Sequence, residues 1–402
     1  MLFFKTIEDM KIIPYLDYDK KGLFSDREFS EGHYIPLYKD ETYVSDYRHA
    51  LFLMVNDVKN NQMMGRINTY QKIALPEGMK LPVDLSSRED FVPLADRVTT
   101  TGKVKIAMLG GFGPAYGDNI CGVTAYKILL EELSKYFDEF KVDIFHVQSN
   151  KFREFYSRYG IEIFQEPLEL EQFCGYDYYY DITAINSISG YHMRSIVDSF
   201  LWMFSLDFQT IEKSKKRNQY LFSNKNEELV NRIKSQGRVG SKVLFHPDSV
   251  QDCRNLPMAI SHKIIAEILE KTDYDVFTVS DIEYESPRFF NVKELSKMFD
   301  DFAMIISLMD KIVTVDTASY HLADAFSLPT MVVFTNAGEG RIADYPQAQG
   351  YVIDPNFLEE LEDIRASSLG QDKEYEILNN RMAEVWAKLN CSKIVDFLLA
   401  TE

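Results

Sequence analysis

Short apolar runs alternate with longer amphipathic stretches along the chain from about residue 103 onward. The short runs are rich in β-branched residues, which predicts buried strands, while apolar residues at helical spacing in the longer stretches predict helices. Strands and helices that alternate in this way are typical of parallel sheets built from strand–helix–strand units. The pattern therefore predicts an α/β fold.

The alternation occurs twice, which predicts two Rossmann-like halves. In the first half we expect strands at 103–109, 141–147, 161–164 and 176–182, and a helix at 120–136. In the second half we expect strands at 242–246, 274–279, 311–315 and 329–334, and helices near 258–271, 299–309 and 317–327. A final helical stretch at 373–400 is expected to pack across both domains.

Residues 1–100 have a different composition, rich in Tyr, Asp and Lys, and repeated prolines interrupt any long helix or strand. They predict an accessory N-terminal module. Polar and basic residues between 213 and 226 interrupt the apolar pattern and mark a domain boundary. The predicted division is an accessory module at 1–100, a first Rossmann-like domain at 101–220, and a second at 221–402 that ends in the terminal helix.

Composition narrows the classes of partner. A net charge of -18 argues against nucleic acid, because such binding depends on clustered Lys and Arg. A single nucleotide is compatible with this charge, since helix N-termini hold phosphates locally. The four cysteines form no metal-binding or disulfide pattern, and no apolar run is long enough to span a bilayer, so we expect a cytoplasmic protein without a transmembrane segment. The basic run 213–217 could contact a membrane surface peripherally, although a solvated helix end is the favoured interpretation.

A glycine-rich turn that begins at Gly110 separates the first predicted strand from its helix. Ligands of open α/β sheets bind beyond the carboxyl ends of strands, so Asp118 is expected at the rim of a binding cleft. Asp118 could act as a base, or it could cap a helix that begins near Asn119. The residues expected to line the acceptor side of the cleft are Gly111, Gly113, Gly117 and Asn119.

A second candidate site is the segment VTVDTASYHLADA at 313–325, where an apolar strand runs directly into a helix. Free backbone N–H groups and the hydroxyls of Thr317 and Ser319 could cradle a diphosphate there. Alternatively, Asp316 or Thr317 is a simple N-cap, and His321 is a helix residue bonded to a neighbour. Position alone favours this second interpretation.

Both segments resemble glycosyltransferase family 9, the heptosyltransferase-like family. Gly117-Asp118 matches the family's Gly-Asp pattern between strand and helix, and DTASYHLA at 316–323 resembles its signature Asp-Thr-Gly-x-x-His-Leu-Ala. LFHPDS at 244–249 and RNLP at 254–257 resemble two further family segments. Ala318 stands where the signature has glycine, Asp248 replaces a glycine, and Arg254 replaces a lysine. The resemblance covers residues 103–400.

The resemblance implies the GT-B fold, in which the parallel sheets of two Rossmann-like domains face a cleft. It also implies an inverting, metal-independent sugar transfer, without a cofactor, from a nucleotide-diphosphate donor that is ADP-linked. Asp118 would be the catalytic base. The residues that would bind the donor diphosphate are Arg254, Asp316, Thr317, Ala318, Ser319 and His321.

The implied acceptor is a bacterial surface glycan, a lipid-linked precursor or a protein. Two alternatives stay open. One is a nucleotide-sugar epimerase of the same architecture, and the other is a non-catalytic nucleotide-sugar binding or assembly protein, which the replacements at Ala318 and Asp248 motivate.

Overall fold

The computed structural model describes residues 80–400, except 81, 88–89, 147, 166–167, 183–184, 186–187, 189, 225 and 367–369, together with the backbone of five short strands before residue 80. Most of the predicted accessory module therefore lies outside the described residues. The strands are β1 Phe3–Lys5, β2 Met10–Ile12, β3 Leu37–Tyr38, β4 Glu41–Ser45, β5 Tyr70–Ile73, β6 Val83–Asp84, β7 Lys103–Leu109, β8 Glu139–His146, β9 Ile163–Gln165, β10 Leu168–Glu169, β11 Tyr178–Asp181, β12 Lys242–His246, β13 Asp275–Thr278, β14 Phe289–Asn291, β15 Lys311–Val315, β16 Thr330–Phe334 and β17 Ala348–Val352.

The helices carry the links between strands. They are α1 Leu94–Arg97, α2 Tyr116–Leu133, α3 Ser149–Ser157, α4 Leu170–Phe173, α5 Ile196–Met203, α6 Glu227–Ser235, α7 Met258–Lys271, α8 Phe299–Ser307, α9 Ala318–Ala325, α10 Pro355–Ala366, α11 Gly370–Ala387 and α12 Cys391–Ala400. Within the part of the chain that the structure describes, none of these helices is both long enough and apolar enough to cross a membrane.

The first large sheet has the strand order β6-β11-β7-β8-β9, and all of its pairs are parallel. β7 and β8 pair along seven residues, from Lys103 opposite Glu139 to Leu109 opposite Phe145. The chain continues from β7 through α2 to β8 on one side, and β11 adds to the other side. The order therefore reverses at β7, whose carboxyl end leads into the glycine-rich turn.

The second large sheet has the strand order β14-β13-β12-β15-β16-β17, again with parallel pairs throughout. In sequence terms this is the order 3-2-1-4-5-6 of dinucleotide-binding folds. The order reverses between β12 and β15. A ligand of such a sheet is expected in the crevice beyond the carboxyl ends of these two strands.

Both faces of the second sheet are buried, as the continuous apolar strands predict. Val313 and Val315 point into the larger core, which also contains Ile264 of α7 and Trp386 of α11. On the neighbouring strand β16, Val332 and Phe334 point to the opposite face of the sheet. They pack there in a second cluster with Tyr320, Ile342 and Tyr345. Helices therefore cover the sheet on two sides and leave its strand ends for loops.

The chain divides into two compact units. The first comprises Met1–Pro114, Ala125–Tyr191 and Val197–Ile211, and the second comprises Ala115–Thr124, His192–Ile196 and Glu212–Glu402. The predicted division at residues 100 and 220 stays a prediction. Strand β6 nevertheless joins the edge of the first sheet through β11, and Ala115–Thr124, which contains Asp118, belongs to the second unit.

The α/β class with two Rossmann-like parallel sheets is confirmed, and the strands at 103–109, 242–246 and 311–315 lie where the pattern predicts them. The single helix expected at 373–400 is wrong, because the stretch forms two helices, α11 and α12, separated at 388–390. Leu389, Ile394 and Leu398 belong to the core of the second unit, which explains their helical spacing.

Candidate functional site

The loops that follow β12 and β15 lie at the point where the strand order of the second sheet reverses. Thr314 of β15 stands opposite His246 of β12 in the register, so the two loops leave adjacent strands at the same level. The first loop carries Ser249 and Arg254, and the second carries Asp316 and Thr317. The two sequence segments of the family resemblance therefore meet at one edge of one sheet.

An ion pair joins these loops. Nη1 of Arg254 lies 3.2 Å from Oδ2 of Asp316, and their side chains are only 14% and 5% exposed. The same Nη1 lies 3.3 Å from the main-chain oxygen of Asp316, and the Ser249 hydroxyl donates to that oxygen at 3.1 Å. Within the described residues, the buried Nε of Arg254 has no hydrogen-bond partner. Arg254 is thus held in place while part of its guanidinium group remains unsatisfied.

Asp316 is an ionised carboxylate in this environment. Burial alone raises its pKa, but the guanidinium groups of Arg254 and Arg341 outweigh burial and hold the pKa of Asp316 below its usual range. The Tyr320 hydroxyl also donates to Oδ1 of Asp316 at 3.0 Å. The carboxylate therefore holds Arg254 and Tyr320 in position, and its expected contact with the donor diphosphate stays a prediction.

The helix α9 begins directly after Asp316, and Thr317 is its N-cap residue. The Thr317 side chain makes no capping hydrogen bond, so the simple N-cap interpretation fails for its hydroxyl. Thr317 and Ala318 are partly exposed. A helix of this kind presents unsatisfied N–H groups and the positive end of its dipole, which favour an anion.

Ser319 has a different role from the one its position suggests. Its side chain is fully buried, and its hydroxyl lies 2.6 Å from the Thr314 hydroxyl and 3.2 Å from Nδ1 of His246. Only its backbone N–H is left for a ligand. The hydroxyl instead ties the helix to the ends of β12 and β15.

Gly117 brings a second helix start to the same place. A Cβ atom at residue 117 would lie 3.0 Å from Cδ2 of His321 and 3.4 Å from Cα of Ala318. The first turn of α2 therefore packs directly on the first turn of α9, within the second unit. Asp118 lies in this first turn of α2 and is partly exposed. The helix begins at Tyr116 rather than near Asn119, so Asp118 is not its N-cap, and Asn119 is buried with its side-chain amide on the Ala115 oxygen at 2.7 Å.

His321 lies buried behind this contact, and it is uncharged. The pKa of its imidazole is lowered to about 3, mainly by burial and also by the nearby Arg341 and Arg254, against the effect of Asp316. Nδ1 lies 2.8 Å from the Tyr345 hydroxyl and 3.1 Å from the Cys121 thiol. His321 can therefore offer a hydrogen bond to a ligand but not a positive charge.

Sequence reasoning missed several residues of this site. Arg341 is almost fully buried, and its charge acts on both Asp316 and His321. Cys121 is buried and contacts the His321 ring. Tyr345 lies in the loop before β17. The sequence signal for Arg341 and Tyr345 is weak, because nothing in their local pattern links them to segments far away along the chain.

Gly111 and Gly113, predicted on the acceptor side, belong to the first unit and both have positive φ angles, 58° and 85°. A Cβ atom at residue 111 would lie 2.0 Å from the His146 ring. Gly111 is therefore required by close packing in the first unit. Its role toward an acceptor stays a prediction.

Two further expectations concern charges. Asp248 is exposed, so its carboxylate can remain in solvent. The basic run 213–217 is not simply a solvated helix end: Lys216 is buried 3.7 Å from Asp344, and Nε of Arg217 lies 2.5 Å from Oδ1 of Asp324. Half of its basic side chains are thus tied to carboxylates of the second unit.

The second unit therefore contains four groups suited to chemistry: the carboxylate of Asp118, the neutral imidazole of His321, Arg254 with its unsatisfied Nε, and the N-terminus of α9. A carboxylate is suited to accept a proton. The arginine and the helix start are suited to stabilise a phosphate. The combination is chemically appropriate for a reaction in which a hydroxyl attacks and a phosphate leaves.

No protein-family model matches the sequence, and no curated protein matches it. Among solved structures, the chain is similar to ADP-heptose LPS heptosyltransferase II of E. coli, with 12% identity, a TM-score of 0.41, and coverage of 65% of this chain and 98% of that one. It is similar to a family 9 glycosyltransferase of Veillonella parvula, with 11% identity, a TM-score of 0.43, and coverage of 71% and 98%. A putative UDP-N-acetylglucosamine 2-epimerase of Listeria monocytogenes aligns with 10% identity, a TM-score of 0.36, and coverage of 69% and 91%. Heptosyltransferases and family 9 are also what the sequence motifs resemble.

Proposed function

We propose that this protein is a glycosyltransferase that binds a nucleotide-diphosphate sugar at the start of α9 and uses Asp118 as its general base. The observation that carries the proposal is the contact of Gly117 with Ala318 and His321. Asp118 is the next residue after Gly117, so the contact supports a base close to the helix turn that would hold the donor diphosphate. The two motifs are almost 200 residues apart in the sequence, and their junction is what the proposed reaction requires.

In the proposed reaction, an acceptor hydroxyl attacks the anomeric carbon of the donor sugar from the side opposite the leaving group. A bond forms between the acceptor oxygen and the anomeric carbon, the bond to the diphosphate breaks, and the configuration is inverted. Asp118 takes the proton of the hydroxyl as the oxygen becomes bonded. The electron pair of the broken bond stays on the departing diphosphate.

The negative charge that develops on the diphosphate is stabilised by groups on α9 and by Arg254. The N–H groups of Ala318 and Ser319 are fixed before the reaction begins, so their dipoles need no reorganisation. Nε of Arg254 adds a charge-assisted donor. In this proposal these groups supply the positive potential without a metal ion, and Arg341 contributes from behind by keeping Asp316 ionised.

The donor class follows from the motif resemblance, which points to an ADP-linked heptose or a related sugar. The acceptor would be a bacterial surface glycan or a lipid-linked precursor. An epimerase reaction and simple nucleotide-sugar binding would use the same donor site, so product analysis must separate the three.

The donor site can be tested by thermal unfolding with ADP, UDP and GDP. A ligand that binds only the folded state stabilises it by about 2.7 kcal/mol at a hundredfold excess over its Kd. We expect a clear shift with one diphosphate, smaller after Arg254→Ala. The absence of a shift with every diphosphate would overturn the donor site.

The base can be tested with Asp118→Asn, which keeps the side-chain shape but removes its basicity. We expect unchanged stabilisation by the nucleotide and a loss of turnover of about 10²- to 10⁴-fold. Full turnover in this variant would contradict the role of Asp118. A sugar product formed by the wild type without any acceptor would instead identify an epimerase or hydrolase.

A further inference from the structure

A buried chain of hydrogen bonds lies behind His321. Nδ1 of His321 lies 2.8 Å from the Tyr345 hydroxyl, and Nδ2 of Asn218 donates to the same hydroxyl at 2.8 Å. The Thr124 hydroxyl donates to Oδ1 of Asn218 at 3.0 Å. All four side chains are buried, so water cannot substitute for a missing partner. The proposed transfer reaction does not by itself require this chain of contacts.

The chain has a direction, because an amide nitrogen can only donate. Tyr345 receives the amide proton of Asn218, so its own proton is left for an acceptor. Nδ1 of His321 is the nearest such acceptor, 0.7 Å closer than the sulfur of Cys121, which lies 3.5 Å from the hydroxyl. A neutral imidazole that accepts at Nδ1 must carry its proton on Nε2.

The Cys121 thiol favours the same arrangement. It lies 3.1 Å from Nδ1 of His321, and burial raises its pKa above the ordinary value, so it keeps its proton. Burial likewise raises the pKa of Tyr345. The Cys121 thiol and the Tyr345 hydroxyl, which both keep their protons, therefore face Nδ1. A proton on Nδ1 would point toward one of these protonated groups.

We propose that Tyr345, oriented by Asn218, is a positioning residue that holds His321 as the Nε2–H tautomer, with this hydrogen-bond donor beside Gly117 and the start of α9. Nε2 lies 3.5 Å from the position that a Cβ atom of residue 117 would occupy. An anionic phosphate oxygen at this helix start needs donors. With the opposite tautomer, the lone pair of Nε2 would repel that oxygen.

The position of Asn218 is itself fixed by the helix that carries His321. The backbone N–H of Asn218 donates to Oδ2 of Asp324 at 2.8 Å, and Asp324 lies three residues after His321 in α9. Arg217 holds the other oxygen of Asp324 at 2.5 Å. The contacts thus form a closed loop from α9 through Asn218 and Tyr345 back to α9, which explains why the end of the basic run turns inward.

The tautomer can be measured directly by two-bond ¹H–¹⁵N correlation spectra of the ligand-free protein at neutral pH. His321 is assigned from the signals that disappear in His321→Gln. We expect an unprotonated Nδ1 and a protonated Nε2. A protonated Nδ1, or a charged ring, would overturn the proposal.

Tyr345→Phe tests whether the hydroxyl sets the tautomer. We expect the Nδ1 signal to shift toward a mixture of tautomers, and kcat/KM for the donor to fall about tenfold, as the loss of one hydrogen bond predicts. The matched control is Tyr180→Phe. It removes another buried hydroxyl, one that has no hydrogen-bond partner in the described residues, and should leave the His321 signals and the turnover unchanged.

If Tyr345→Phe fails to fold, Asn218→Leu keeps the hydroxyl and removes the donor that orients it, and the same mixture is expected. An unchanged Nε2–H tautomer in a folded variant would overturn the role of Tyr345. The catalytic consequence rests on the proposed glycosyl transfer, but the spectra do not. If the tautomer changes in these variants but the protein binds no nucleotide diphosphate, the proposed function is refuted and the role of Tyr345 stands.

Discussion

The two parallel sheets reverse their strand order in the same way but end there in loops of opposite character. In the first unit, the loop after β7 contains Phe112, which is fully buried. Its ring stacks on the Tyr156 ring with 5.8 Å between the centroids, and it contacts the Phe200 ring edge-on with 5.3 Å between the centroids. Its backbone N–H donates to the Tyr156 hydroxyl. Aromatic side chains therefore pack the interior of this loop.

In the second unit, the Arg254–Asp316 pair joins the loops after β12 and β15, and the hydroxyls of Thr314 and Ser319 contact each other where β15 leads into α9. These contacts are polar, and Nε of Arg254 stays unsatisfied. Equal topology therefore does not give equal chemistry. The side chains at the reversal point decide whether an edge is packed with aromatic rings or lined by polar groups, and four substitutions can test this contrast.

The largest expected effect is that of Arg254→Leu on the second edge. Removing one partner of a buried ion pair costs about 3 to 5 kcal/mol, because the other charge stays buried. Urea unfolding at pH 7 measures this cost. Lys271→Leu is the control, since it removes an exposed pair with Glu267 and should cost below about 1 kcal/mol.

The same variant should reverse the pH response of Asp316. In the wild type, the pKa of Asp316 is lower in the folded state than in the unfolded state. The stability that the ionised carboxylate contributes is therefore complete above the unfolded pKa of about 3.9, and it is lost as the pH falls below that value toward the folded pKa. Without Arg254, burial is less opposed and the folded pKa rises. The cost of the substitution should then shrink at acidic pH, and a cost that stays constant would contradict the ion pair.

Gly111→Ala should destabilise the first edge by about 2 to 4 kcal/mol. The new Cβ would lie 2.0 Å from the His146 ring, and residue 111 has a φ of 58°. Gly160→Ala is the matched control, because its φ of 71° imposes similar backbone strain but nothing lies within 4 Å. Equal losses of unfolding free energy in both variants would show that the packing on His146 is unimportant.

His146 should make the first edge sensitive to mild acid. Burial lowers its pKa to about 4, while an unfolded histidine takes up a proton below about pH 6.5. The unfolded state therefore binds more protons between these values, and stability falls as the pH is lowered, by up to about 1.4 kcal/mol per unit. His146→Asn should reduce this slope in urea unfolding between pH 5 and 7, and an unchanged slope would refute the assignment.

Thr317→Ala should have the smallest effect on stability, below about 0.5 kcal/mol, because the hydroxyl makes no capping bond. Asn226→Ala is the comparison, since the Asn226 side chain caps α6 by accepting from the Leu229 N–H at 3.1 Å, and its loss should cost about 1 kcal/mol. If Thr317→Ala weakens nucleotide binding without a loss of stability, Thr317 contacts the ligand. A stability loss equal to that of Asn226→Ala would show a hidden capping role.

Much of the second unit could be predicted from sequence because its central strands are continuous apolar runs. The strands β14 and β17 were missed, since an edge strand such as β14 is short and only partly buried, and β17 reads AQGYV without an apolar run. The break between α11 and α12 was also missed, because Leu389 preserves the apolar spacing across it.

The motifs located the segments of the candidate site but not its internal contacts. Asp118 and DTASYH were found because each follows a predicted strand. Packing between distant segments determines the internal contacts. It turns Ser319 inward, pairs Asp316 with Arg254, and brings the charge of Arg341 close to Asp316 and His321. Periodicity describes only neighbours along the chain, so such contacts are beyond it.

The contact of α2 with α9 depends on an atom that Gly117 lacks, and this has a consequence for mutational tolerance. Every other amino acid would place the same Cβ atom 3.0 Å from His321. In a saturation library, residue 117 should therefore be graded by size, because alanine requires the His321 ring to shift by a few tenths of an ångström and bulkier residues require more. Ala318 should behave in the opposite way and accept glycine, because removing its methyl group creates no clash.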